Sequence, residues 1–355
     1  MIVRIVCFFV IVFSIAAVVL TAVFAKKRSG SAEPEHPYGS QEESSSRETE
    51  EQTVLDSESE DGESTSESET EPTFPSESET ESAAESDPVT PTEHSSGHIS
   101  GRLVDSGLFP DAASLPNKSI PYGNDWDDKD ATGMPNGVYW YEAMYGKYYP
   151  VYRIKTKEKL LYLTMDEGYE AGYTPKILDT LKEKNVHAVF FLTKQFVDTH
   201  PELVQRMINE GHILGNHTCL HPAGGFPRYV DEHGIQSFID DFTTLHDLVY
   251  NVFSYDMRLF RFPEGESSES LMATLDNYGY TSVFWSYAHR DYVLADQPPV
   301  DVTLKRCLDH MAPGAVYLLH AVSESNTEAL ADFIDGARNA GYEFGVFPVD
   351  EVSKR

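Results

Sequence analysis

The chain has 355 residues, with 58 Asp or Glu against 27 Lys or Arg and a formal net charge of −31. That balance excludes the electrostatic footprint of a nucleic-acid-binding protein, even from residue 101 onward, where 22 basic residues stand against 37 acidic ones. Three cysteines do not make a disulfide framework: Cys7 lies in an apolar run, so only Cys219 and Cys307 could meet in a folded part.

Ile5 to Ala25 is an apolar run of about 21 residues, interrupted only by Ser14 and Thr21 and long enough for roughly 30 Å of hydrocarbon. It predicts a single-pass anchor over residues 1–28, longer than the apolar core of a secretory signal; cleavage after Ala25, giving a secreted form, is the alternative. Arg4 on one flank and Lys26-Lys27-Arg28 on the other leave orientation undecided by charge. Residues 29–100 carry 21 acidic residues against Arg47 alone, interleaved with Ser, Thr and Pro, the composition of a disordered, self-repelling linker. Such a segment reaches roughly 45 Å or more, which suits a domain held off a bilayer against a large, immobile extracytoplasmic substrate.

Residues 101–355 have the apolar content and length of one large domain. Residues 101–159 open it; up to residue 150 they are rich in Tyr, Trp, Gly and Asp without clear periodicity, and are expected to wrap the core. Strands are predicted at Leu160–Met165, Ala188–Leu192, Ile213–Asn216, Leu259–Phe262, Ser282–Trp285, Ala315–Leu319 and Glu343–Phe347. Helices are predicted between them at 174–184, 201–210, 234–250, 268–277, 301–311 and 324–340, with Thr174 before Pro175 and Ser325 before the Glu328 run as capping residues. The alternation implies an α/β fold, a parallel sheet or a β/α barrel, which the pattern alone does not separate.

The ends of the predicted strands carry the chemistry, as parallel α/β folds require. His217 and His221 are four apart; on one helical turn both imidazoles would share a face and could ligate a metal, although two ordinary loop histidines are the plainer reading in a chain with 13. Cys219 between them would point away. Asp166 and Glu167 close an apolar strand, where two carboxylates can divide metal binding and general-base work; a helix cap or a solvated loop is the plainer alternative. Glu170 is expected to be structural. Tyr139-Trp140-Tyr141, Tyr145, Tyr148 and Tyr149 are read as packing before sugar stacking. Phe190-Phe191 and Phe284-Trp285 are read as buried.

Taken together, Thr164-Met165-Asp166-Glu167, His217-Thr218-x-x-His221, Arg261-x-Pro263-x-Gly265, Trp285 with Asp291-Tyr292, and Leu318-Leu319-His320 resemble the five ordered motifs of the polysaccharide deacetylase family. This is the NodB-homology, carbohydrate esterase family 4 group, and the likeness covers about residues 117–350. Asp166-Glu-Gly-Tyr-Glu-Ala-Gly-Tyr-Thr-Pro-Lys-Ile-Leu-Asp179 and Leu318-Leu-His-Ala321 resemble its delta-lactam-biosynthetic, or muramic acid, deacetylase branch. The resemblance implies a distorted (β/α)7-type barrel that hydrolyses N-acetyl groups with a divalent metal, Zn²⁺ first, with Co²⁺ or Mn²⁺ as alternatives. By resemblance, Glu167, His217 and His221 would hold the metal and Asp166 would be the base, fixed by Arg261. His320 would be the acid, oriented by Asp291. Pro263, Glu264, Gly265, Trp285, Tyr292 and Leu318 would line the substrate groove.

Three positions depart from the pattern. Glu167 stands where most members have Asp and the muramic acid branch has Asn, and its extra methylene, roughly 1.5 Å, requires the loop to retreat if the carboxylate is to bind metal. Glu264 replaces an aromatic residue and Tyr292 replaces Trp. The sequence therefore points to an anchored monomer that deacetylates peptidoglycan muramic acid. A glucosamine deacetylase and a surface-tethered glycan-binding module are the rivals.

Overall fold

The computed structural model describes residues 98–99 and 102–353. The expected anchor and nearly all of the expected linker lie outside these residues. The linker's last residues do not, because β1 (His98–Ile99) pairs antiparallel with β2 (Arg102–Leu103).

In chain order the larger elements are α1 (Asn136–Tyr145), β3 (Leu160–Glu167), α2 (Thr174–Lys184), β4 (Ala188–Leu192), α3 (Lys194–Thr199), α4 (Pro201–Asn209) and β5 (Ile213–Asn216). There follow α5 (Gly225–His233), α6 (Ile235–Phe253), β6 (Leu259–Phe260), α7 (Glu269–Asn277), β7 (Thr281–Ser282) and β8 (Tyr287–Ala288). The chain ends with α8 (Val300–Asp309), β9 (Ala315–His320), α9 (Glu324–Asn339), β10 (Glu343–Phe344) and α10 (Val349–Val352). Strands β3 to β10 form one parallel sheet in the order β7-β6-β5-β4-β3-β9-β8, with β10 joined to β3. It curls into a half-barrel. The expected wrap ties onto this sheet: Val151 bridges to Val283, just after the edge strand β7, and Arg153 to Ala315 at the start of β9.

Two expected caps move. Thr174 is already inside α2, after Tyr173, and its hydroxyl is turned to Glu167. Ser323, not Ser325, caps α9 by accepting the N–H of Asn326. Helices α1, α3, α5 and α10 were not anticipated. In α1 the buried side is only Gly137, Val138 and Tyr141, too narrow a stripe to stand out among so many aromatics.

Strand alternation divides the core. Leu161, Leu163 and Met165 of β3, Phe190 and Leu192 of β4, and Tyr317 and Leu319 of β9 face the helices in the main apolar cluster. Tyr162, Val189, Phe191, Leu259, Val283 and Val316 form a smaller cluster inside the curl. Successive strand residues point to opposite faces, so whatever continues the inner set at the strand ends is aimed into the mouth of the half-barrel.

Gly314 shows how tightly the strand carrying His320 is seated. Its φ is +81°, and an added Cβ would lie 1.9 Å from the Ile154 carbonyl oxygen. Its N–H donates to Leu160 and its carbonyl accepts from Ile154, both at 2.8 Å. Only glycine combines that dihedral with that approach. We expect Gly314→Ala to lose about 2–4 kcal/mol of stability, from left-handed strain plus a backbone clash, measured by denaturant unfolding.

Candidate active site

Asp166 and His320 end adjacent parallel strands, paired directly in register. Both continue the inner set, Asp166 after Tyr162 and Thr164, His320 after Val316 and Leu318. Arg261, two residues beyond Leu259, and His217, two beyond Gly215, enter the same mouth. Gly215 must lack a side chain, since a Cβ there would meet the Phe191 ring at 2.4 Å.

Arg261 is fully buried. Its Nη1 donates to Asp166 Oδ1 at 2.8 Å, Nε to the Val283 carbonyl at 3.1 Å and Nη2 to the Phe284 carbonyl at 3.3 Å. The guanidinium lies 4.1 Å from the Phe191 ring centroid. Burial alone would raise the Asp166 pKa, but Arg261 first, then His217 and His320, hold its carboxyl below the usual range. Asp166 is therefore a carboxylate at neutral pH.

His320 Nδ1 donates to Asp291 Oδ1 at 2.8 Å, and its backbone N–H donates to Oδ2 at 2.8 Å. Burial disfavours the imidazolium, yet the Asp291 charge and hydrogen bond outweigh it and lift His320 above its ordinary value. Asp291, fully buried, is in turn kept below the carboxylate range by His320 against the cost of burial.

His217 and His221 do not lie on a helical turn. They belong to a loop in which Thr218 and His221 have φ of 78° and 44°, and their ring centroids stand 5.0 Å apart. Asp241 of α6 secures this loop by accepting the N–H groups of Cys219 and Leu220, both at 2.9 Å. Cys219 points away from the mouth, its thiol donating to the Asp241 carbonyl at 3.1 Å. His217 Nδ1–H donates to the Arg261 carbonyl at 3.0 Å, leaving Nε2 toward Asp166 Oδ2 at 3.5 Å. Burial pushes the His217 pKa down to about 4, so its imidazole is neutral, the form that ligates metals.

Glu167 goes the other way. It continues the helix-facing set, is fully buried, and its Oε2 accepts from Thr174 Oγ1 at 3.3 Å while Oε1 has no hydrogen-bond partner. Burial, and next the nearby Glu170, raise its pKa well above the usual range. Among the described residues no three His, Cys, Asp or Glu side chains are grouped to hold a metal. The histidine pair suits a divalent cation by donor chemistry; Glu167 as placed does not complete the expected set of three, because its strand position turns it toward α2. Glu170, expected to be structural, accepts from the N–H groups of Gly172 and Thr174.

The expected groove residues separate into wall and rim. Pro263, Gly265, Trp285 and Leu318 are buried. The Trp285 carbonyl accepts the Tyr122 hydroxyl, and Trp285 Cη2 crowds the space beside Gly265. Glu264 and Tyr292 are exposed. Glu264, at φ 57°, accepts the Gly224 N–H at 3.2 Å; Tyr292 is 57% exposed with its ring 5.4 Å from His320. Tyr169 and Leu220 share the exposed rim. Asp241, Phe191, Tyr122 and Asn326 support the site without a motif to announce them.

An acidic and an imidazole side chain, each backed by a buried counter-charge, meet at the mouth of a curled parallel sheet, an arrangement suited to hydrolysis. A family model described as "Polysaccharide deacetylase" matches residues 153–283. The peptidoglycan-N-acetylmuramic acid deacetylase PdaA of Bacillus subtilis is 36% identical over 236 residues, covering 66% of this chain and 86% of that protein. Its solved structure superposes with a TM-score of 0.61 at 35% identity, over 67% of this chain and 98% of that one. A family 4 carbohydrate esterase from Bacillus anthracis gives 0.53 at 34% identity, over 68% of this chain and 99% of that one. A peptidoglycan-N-acetylglucosamine deacetylase of Bacillus cereus is 27% identical over 199 residues, 55% of this chain and 90% of that protein. The chain belongs to the polysaccharide deacetylase family, carbohydrate esterase family 4, and is a hydrolase acting on N-acetyl groups.

Asp241→Ala would leave two backbone N–H groups in the histidine loop without their acceptor. We expect a loss of about 1.5–3 kcal/mol and faster amide exchange at Cys219 and Leu220, read by unfolding and hydrogen exchange.

Proposed function

We propose that this chain removes the acetyl group from N-acetylmuramic acid of peptidoglycan, working outside the cell on a membrane tether formed by residues 1–100. The observation that carries the chemistry is the in-register pair Asp166 and His320, each backed by its own buried counter-charge, Arg261 and Asp291. The muramic sugar is supported by the likeness to PdaA and by the Asp166–Asp179 and Leu318–Ala321 strings.

In this reading Asp166 accepts the proton of the attacking water at Oδ2, since Oδ1 is held by Arg261. His320 delivers a proton from Nε2 to the departing amine, because Nδ1 is committed to Asp291. Tyr292 and the exposed rim meet the glycan. A divalent cation at His217 and His221, Zn²⁺ above Co²⁺ or Mn²⁺, would supply Lewis acidity beside these groups. A binding module would need neither of the two charge-backed pairs, which favours catalysis over mere attachment.

The test is acetate release by the full chain from muramic-acid-containing and glucosamine-only glycans, with and without chelator, alongside metal analysis. We expect release from the muramic substrate, a loss of about 100-fold or more in Asp166→Asn, and loss of bound metal in His217→Ala. Release from the glucosamine glycan alone would transfer the assignment to the N-acetylglucosamine deacetylase activity named for the Bacillus cereus relative, and no release with any added metal would leave a binding module.

The pH profile follows from the same pairs. Activity requires Asp166 ionised and His320 protonated, so Asp166 sets the acid limb and His320 the alkaline limb. Asp291→Asn removes the charge that lifts His320; we expect the alkaline limb of kcat/KM to move to lower pH while the acid limb stays in place.

A further inference from the structure

We propose that His289 and Asn326 form a positioning relay behind Asp291, which dictates the orientation of its carboxylate and thereby the tautomer of His320. The inference rests on the acid role proposed for His320. Asn326 lies in the first turn of α9, 3% exposed, where the Ser323 hydroxyl accepts its backbone N–H at 3.1 Å. Gln297 steadies that turn: its Oε1 accepts from Ser323 Oγ and the Ser325 N–H, both at 3.3 Å, and its Nε2 donates to the Asp291 carbonyl at 3.4 Å.

The direction of the relay follows from what each atom can do. One terminal atom of the Asn326 amide touches both Asp291 Oδ2 and, at 3.3 Å, the His320 carbonyl oxygen. A carboxylate and a carbonyl only accept, so that atom is the nitrogen, and the amide oxygen must face His289 Nε2 at 3.0 Å. His289 Nε2 therefore carries a hydrogen. Its ring is held by the parallel ring of Tyr287, 6.0 Å away, with the side chain 4% exposed. Its Nδ1 is buried without a hydrogen-bond partner, so this nitrogen is best left as a bare lone pair, an unmet acceptor being easier to bury than an unmet N–H.

The consequence falls on Asp291. Its Oδ2 receives two donors, the His320 backbone N–H and the Asn326 amide, which leaves Oδ1 as the oxygen for the imidazole. The carboxylate cannot rotate without losing both, so His320 is kept with hydrogen on Nδ1 and with Nε2 toward the mouth. His289 Nε2 also stands 3.8 Å from Asp291 Oδ2, beyond hydrogen-bond reach, so its hydrogen-bonded hold on the carboxylate runs through the Asn326 amide. Without the His289 N–H the Asn326 amide oxygen would be left buried and unmet, and the amide would lose the anchor that holds its nitrogen on Asp291 Oδ2.

The test uses the full chain carrying Asn326→Leu, His289→Phe or His289→Gln, the last retaining an N–H donor. We expect Asn326→Leu and His289→Phe to lower kcat about 10- to 100-fold with KM nearly unchanged. Long-range ¹H–¹⁵N spectra recorded above the pH at which His320 loses its Nε2 proton should show the neutral ring leaving its single Nδ1–H form in both, with His289→Gln restoring both kcat and the spectrum. Unchanged kcat with an unchanged His320 spectrum overturns the relay. So does a rise in KM alone, which would mark a substrate contact, or a fall in kcat with the His320 spectrum intact, which would mark a general packing role. If the parent chain releases no acetate, the functional assignment fails, and the His320 spectrum of the three variants still decides the relay.

Discussion

The buried ion pair between Arg261 and Asp166 is the interaction around which the site is organised. Two charges with almost no solvent contact carry a desolvation cost of several kcal/mol each, recovered only when geometry and hydrogen bonding are nearly complete. Here every arm of the guanidinium is engaged, by Asp166, by the Val283 and Phe284 carbonyls beyond β7, and by the Phe191 face. Through those contacts Arg261 ties β3, β4 and β6 to the segment following β7. The Arg261 carbonyl also accepts from His217, so the same residue sets the imidazole's tautomer. Charge placement and strand placement are thus one constraint.

A second constraint is strand parity, and it acts on adjacent carboxylates in opposite ways. Asp166 shares the inner face with Phe191 across the pairing Asp166–Phe191, while its neighbour Glu167 is paired with Leu192 and shares the outer face. The two side chains therefore inhabit separate environments: one is paired with the Arg261 guanidinium, the other closed in with Thr174 and near Glu170. Opposite shifts follow, downward for Asp166 and upward for Glu167, each traced to its own face of the same strand.

This explains which features were legible in the sequence. Strands β3, β4, β5 and β9 begin where expected because each is an apolar run bounded by polar residues, and a run that names the strand also names what lies at its end. The half-barrel's inner and outer sets could have been counted from the same runs, and that count separates Glu167 from Asp166; adjacency in sequence suggested a shared site, and alternation undoes it. The closeness of His217 and His221 was expected from helical spacing, whereas it comes from a loop with two left-handed residues clamped by Asp241, a contact 20 or more residues distant that spacing cannot reveal. Helix α5 was hidden by the breakers at its start, Gly224, Gly225 and Pro227. For α9, Ser323 and Ser325 have equal capping propensity, but the Ser325 hydroxyl is committed to the Pro298 carbonyl at 2.6 Å, while the Ser323 hydroxyl accepts the Asn326 N–H.

The two charged pairs also settle each other's protonation. Asp166 lowers its own proton affinity in part through His320, and His320 retains its proton in part through Asp166, after the larger contributions of Arg261 and Asp291. Over the interval between their two pKa values a carboxylate and an imidazolium coexist across adjacent strands, which is the state the proposed base and acid roles require. Each group reaches that state only because its own counter-charge outweighs the cost of burial. It arises because a parallel register places residues 166 and 320 side by side, while the opposite charges that bias them, Arg261 and Asp291, approach from different edges of the sheet and so do not neutralise one another.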